Sequence, residues 1–265
     1  MASSTDQHEE EIHLPDPSIW PFVTAIGFGA VPIGLLLHVY GQGYGMGILA
    51  GGLLVGTIAA VAWASSVIRE KSSIDQKWGA DSLSLGWKLF LISEAAIFGS
   101  FFGHYFYMWW RHVEEWPLAG TPQIDLMIPA IGTLVLITSS VTCEFAHKAL
   151  ILNRREACKN WMILTILLGL AFITLQAYEW GYLIYSYGFT VGSNVVGTSF
   201  YLLTGFHGVH VITGLLLLML VYSRLEMGAF DNKRHFSMNA ASWYWHFVDV
   251  IWLIVFLTVY VGIQH

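Results

Sequence analysis

Charge is what this sequence has least of. Asp, Glu, Lys and Arg together make up 11% of 265 residues, against roughly 25% in soluble domains, and that deficit excludes an ordinary water-soluble globule. Cysteine is nearly missing too: Cys143 and Cys158 are the whole supply, so neither a disulfide framework nor a cysteine metal cluster is available. The amino-terminal tail, acidic around Glu9, Glu10 and Glu11, lacks the basic start of a cleaved signal. No segment outside the apolar runs is long enough to bury a core of its own. The net charge of −6 gives no footprint for nucleic acid. Matched pairs of broken helices and an inverted repeat are also missing, which weighs against a secondary transporter.

Apolar side chains account for 55% of the chain, and mean hydropathy is +0.59. Seven stretches exceed the roughly 20 residues that cross a hydrocarbon layer, where only helices satisfy their own backbone. They are Ile19 to Tyr40, Met46 to Ile68, Ser84 to Trp110, Leu126 to Leu152, Trp161 to Tyr187, Val195 to Tyr222 and Met238 to Gln264. The fold class expected is all-α and integral to a membrane. Residues 1–18 form the tail, 19–68 the first two helices, 69–83 a connection, and 84–265 helices three to seven.

Eleven of the twelve Lys and Arg flank the second, fourth and sixth connections, and only Arg111 lies opposite. The positive-inside rule therefore places the amino terminus inside and the carboxyl terminus outside. The first two helices lack acids and bases but hold Gly47 to Gly51 and Gly52 to Gly56, a small-xxx-small spacing that lets backbones close up. They form a plain pair beside a five-helix group with polar contents.

Those polar contents are the candidate site. Glu94 falls near the bilayer centre, where an acid is neutral or faces a partner inside the protein; Phe98, Phe101 and Tyr105 follow on its face. His207 and His210, in Gly205-Phe-His-Gly-Val-His210, share a face at mid-depth. They read as half of a metal or haem site or, more simply, as polar joints to neighbouring helices, since no histidine at matching depth faces them. His246 and Asp249 stand three residues apart and are expected to pair structurally rather than act as a catalytic dyad, because no nucleophile accompanies them. Glu179, with Gln176 a turn earlier, reads as a helix-joining group, and Glu144 with Lys148 as a local ion pair. Arg69 and Arg224, at inner helix ends, suit lipid phosphate as well as topology.

Several strings are more specific than these types. TGFHGVHVITG at Thr204 to Gly214 and AASWYWHFVDVIW at Ala240 to Trp252 closely resemble stretches of subunit III of haem-copper cytochrome c oxidases. PSIWPF at Pro17, VIRE at Val67, FLISEAAIF at Phe90, TLVLITSSVT with AHKAL in helix four, and LQAYEW at Leu175 agree in order.

The resemblance implies a subunit without catalytic residues. It would belong to a proton-pumping terminal oxidase that reduces oxygen to water, in a bacterial cell membrane or the mitochondrial inner membrane. Such a chain stabilises subunit I, supports proton uptake and holds phospholipid in a V-shaped cleft between the two-helix and five-helix groups. It contacts subunits I and II, which carry the haem and copper, and holds no metal itself. By motif, Glu94 matches the family's buried, carbodiimide-reactive acid, and Trp63, Arg69, Glu70 and Arg224 fall where relatives touch lipid headgroups. The chain departs from the pattern at His147-Lys148, where relatives carry two histidines, at Asn239, where they carry glutamate, at Glu144, and in a short connection from Arg111 to Asp125. Rival readings are a membrane cytochrome using His207 or His210, an ion-coupled carrier using Glu94, Glu179 and Asp249, and a relative attached to nitric oxide reductase. The last is disfavoured because those resemble a five-helix version.

Overall fold

The structure, a computed structural model, describes residues 18–69, 76–227 and 236–263. The regular elements among those residues are all helices, without a strand: α1 Trp20–Val39, α2 Gly45–Arg69, α3 Gln76–Arg111, α4 Met127–Ile151, α5 Arg155–Tyr187, α6 Val195–Glu226 and α7 Phe236–Val255. A π-helical segment, Phe256–Val261, continues α7. Among the described residues, seven helices are long and apolar enough to cross a membrane. Several run past the spans that hydropathy predicts: α3 starts eight residues earlier than Ser84, α5 six earlier than Trp161, and α6 ends four later than Tyr222. Hydropathy stops where Lys, Glu and Arg begin, whereas those residues propagate a helix readily into the headgroup layer.

The termini follow local chemistry. Pro21 lies in the first turn of α1, where its missing N–H costs nothing. Gly188 closes α5 with φ +62, a left-handed cap that glycine adopts without strain. Asn194 caps α6, its side-chain oxygen accepting the Gly197 N–H at 2.8 Å, as an N-cap residue should.

The chain divides into two compact units, residues up to Gly79 and residues from Ala80. In the first, α1 and α2 pack closely through glycine. A Cβ added at Gly27 would run into the Gly56 backbone, one at Gly34 into Leu49, and one at Gly52 into the Gly27 carbonyl. The close approach therefore uses Gly27, Gly34, Gly45, Gly52 and Gly56. The predicted Gly47 to Gly51 pair takes no part, since nothing lies within 4 Å of a Cβ at either position; these two sit on the outward side of the same helix.

In the second unit α4 packs on α5, α6 on both α5 and α7, and α7 on α4. Its core holds Phe172, Phe200, Leu218, Trp245, Trp252 and Tyr260, each under 2% exposed. Here too small residues admit large ones: a Cβ at Gly169 or Gly214 would strike the Trp245 indole.

Gly27→Ala should cost about 1–3 kcal/mol, the usual range for overpacking, whereas Gly51→Ala should be neutral or mildly stabilising through helix propensity. Equilibrium unfolding of the detergent-solubilised chain checks the contrast.

Candidate functional site

Glu94 lies near the middle of the apolar span Leu83–Arg111. It belongs to a stripe on α3 in which Trp87, Glu94 and Tyr105 recur at seven and eleven residues, spacings that return to one face of a helix. Each reaches a different helix backbone or side chain. Trp87 Nε1 donates to the Ala240 carbonyl at 3.0 Å, Tyr105 donates its hydroxyl to the Thr258 carbonyl at 2.7 Å, and Glu94 Oε2 lies 3.0 Å from His210 Nε2 on α6. Among the described residues the α3 backbone keeps its distance from α4, α5, α6 and α7, so these long side chains, with Phe98 and Phe101 between them, are what fasten it. Phe98 sets its ring edge against Phe206 at 5.1 Å and His210 at 5.0 Å.

The proton content of the Glu94–His210 pair follows from its neighbour. His210 Nδ1 lies 2.8 Å from the Phe206 carbonyl oxygen, which can only accept, so Nδ1 carries a hydrogen. One further proton then lies between Nε2 and Glu94 Oε2. Written as imidazolium with carboxylate or as imidazole with carboxylic acid, the pair has no net charge. That is how an acid and a base can both sit at mid-depth without an uncompensated charge in hydrocarbon.

Other predicted residues divide differently from expectation. His207 is wholly buried, and neither ring nitrogen has a hydrogen-bond partner. It stands among aromatic rings, 4.9 Å from Trp252 and edge-on to Phe172 at 5.8 Å, so of the two histidines only His210 joins helices by a polar bond. His246 and Asp249 do not pair. His246 turns instead to α4, with Nδ1 2.6 Å from the Ser140 hydroxyl and Nε2 3.9 Å from Glu144 Oε2. Asp249 is buried, and neither of its carboxyl oxygens completes a hydrogen bond, the Ser140 hydroxyl being its polar neighbour. The α4 serine, which an i, i+3 rule on α7 cannot see, takes the histidine instead.

Glu179 does join helices: its Oε2 accepts from the Tyr260 hydroxyl at 2.7 Å and from Gln176 Nε2 at 3.1 Å. Glu144 and Lys148 form the predicted pair at 3.2 Å. Trp63 is 41% exposed. Arg69 ends α2, its side chain outside the described residues, as is all of Glu70. Arg224 Nη1 lies 3.4 Å from the Ser237 hydroxyl.

Sequence reasoning passed over five polar joints. Trp245 Nε1 donates to the Ser139 hydroxyl at 3.0 Å and Trp252 Nε1 to the Thr133 hydroxyl at 2.9 Å, binding α7 to α4. Thr142 and Thr165 join α4 to α5 at 2.8 Å, and Trp87 and Tyr105 hold α3. Two indoles seven residues apart opposite two hydroxyls six apart was the available signal. As for ligand capacity, among the described residues no three His, Cys, Asp or Glu converge on one point, and both His210 nitrogens are already engaged.

A family model for cytochrome c oxidase subunit III matches residues 10–263. This chain belongs to that family. Among its relatives, cytochrome c oxidase subunit 3 of Patiria pectinifera is 34% identical over 95% of this chain and 97% of its own length, and that of Triticum aestivum 33% identical over 96% and 97%. A probable cytochrome c oxidase subunit 3 of Rickettsia felis is 34% identical over 94% of each. The family places the polar stripe of α3 in a membrane subunit of an oxidase complex.

Glu94→Ala strands the buried His210 Nε2 and should cost about 1–3 kcal/mol, the penalty for an orphaned polar group; Glu94→Gln keeps a hydrogen-bonding group there and should cost less than half as much. Denaturant titration of the solubilised protein distinguishes the two.

Proposed function

We propose that this chain is a non-catalytic subunit III that stabilises subunit I of a proton-pumping haem-copper oxidase, supports its proton uptake and binds structural phospholipid. The observation that carries the non-catalytic part is the use made of the intramembrane polar groups. Glu94 and His210 bond to each other across α3 and α6, Glu179 and Gln176 both reach Tyr260 beyond α7, and His246, Trp245 and Trp252 bond to α4, while His207 is walled in by Trp252 and Phe172. A haem or copper ion needs a nitrogen lone pair facing open space, which His210 lacks. Haem and copper then belong to subunits I and II. A carrier using Glu94, Glu179 and Asp249 would need them along one path, but Glu94 bonds α3 to α6 while Glu179 bonds α5 to the segment after α7.

The remaining features of the reading concern surroundings. The amino terminus lies inside, on the side of the Lys148, Arg154 and Lys159 cluster, by the positive-inside rule. Phospholipid headgroups are held by Trp63, Arg69, Glu70 and Arg224, the positions that match the family's lipid contacts by motif. A rigid, lipid-bearing neighbour keeps subunit I in its working geometry during repeated turnover.

Removing the chain from the purified oxidase should leave the haem spectrum unchanged while the rate of oxygen consumption falls progressively with turnover. Sustained activity equal to that of the intact complex contradicts the stabilising role, and a visible haem band from the isolated chain contradicts the absence of haem.

A further inference from the structure

The end of α5 meets the start of α4 around a pocket of about 270 Å³, lined by Gln123, Asp125, Tyr178, Glu179, Tyr182 and Tyr187 among others. Its chemistry is one-sided. Asp125 and Glu179 supply carboxyls, and no Lys, Arg or His among the described residues lines the wall. Tyr182 and Tyr187 stand at 81° with centroids 5.6 Å apart, forming an aromatic corner whose two faces carry negative quadrupole charge. Glu179 is 4% exposed; Gln176 and Tyr260 occupy its Oε2, while Oε1 has no hydrogen-bond partner. The α5 carboxyl end adds the negative pole of its helix dipole. A belt of interfacial tyrosines accounts for aromatic rings at this level, but not for a buried carboxyl oxygen without a partner beneath them.

We propose that this pocket binds an alkylammonium group, with the Tyr182–Tyr187 corner contacting its face and Glu179 and Asp125 compensating its charge. The corner and the acids match an ammonium in the way aromatic cages do. The pocket is wide enough for a trimethylammonium and open enough for a chain to leave it. Such a group arrives either on the headgroup of a choline or ethanolamine lipid or as a free amine, and the two sources share one recognition chemistry.

The test uses the protein in the complex with which it leaves the membrane, held in phosphatidylglycerol nanodiscs with 3-fluorotyrosine at position 187. Tetramethylammonium chloride should move the ¹⁹F resonance saturably, and sodium chloride at equal ionic strength should not. Nanodiscs containing phosphatidylcholine should produce the same shift if the source is a lipid; a response to the soluble ion alone assigns a free amine, and either supports the site. Glu179→Gln should abolish the shift, and Tyr182→Leu, at a half-exposed position less demanding on folding, should weaken binding about fivefold, the loss of one cation–π face. No shift with either ammonium source, an equal shift with sodium, or unchanged affinity in Tyr182→Leu overturns the proposal.

Discussion

Everything distinctive in this molecule depends on the rule that a polar group in hydrocarbon must find its partner within the protein. The Glu94–His210 contact is where that rule is most demanding, because an acid and a base meet at mid-depth. They are compatible with the membrane because one proton lies between them and the Phe206 carbonyl fixes the other. Joined this way, α3 is attached to its neighbours without the close backbone approach that glycine provides elsewhere. Trp87 and Tyr105 repeat the device toward the two ends of the same stripe.

Two kinds of helix joint therefore coexist. Between α1 and α2, five glycines remove side chains so that the helices close up, and the attraction is dispersion between closely fitted surfaces. In the unit from Ala80 onward, tryptophan, tyrosine and histidine span wider gaps, each ending in a hydrogen bond to a hydroxyl, carbonyl or carboxyl on another helix. Bulky aromatic rings fill what the wider spacing leaves. A membrane subunit of an oxidase complex has reason to be built this way, since directional bonds fix helix register more firmly than apolar contact does.

Much of this was legible in the sequence. Seven apolar runs gave seven helices because backbone satisfaction in lipid leaves no other solution, and seven ordered strings gave the family. Glu94 stood out by depth alone. What could not be read was pairing, since partners on different helices are set by rotation and tilt rather than by spacing along one chain. His246 looked committed to Asp249 three residues on, yet Ser140 of α4 was the nearer partner. His207 and His210 looked alike, yet one met a carboxylate and the other a wall of rings. Gly47 and Gly51 had the right spacing on the wrong face, and the helix ends ran on because polar residues that end a hydropathy window do not end a helix.

The central claim is that Glu94 and His210 act on each other as a joint. A double-mutant cycle measures that directly: unfolding free energies of the parent, Glu94→Ala, His210→Ala and the double variant in one detergent. The account predicts a coupling energy of about 1 kcal/mol or more, in the upper part of the range found for hydrogen bonds between membrane helices. Strictly additive losses would show that the two side chains are stabilised separately and contradict it.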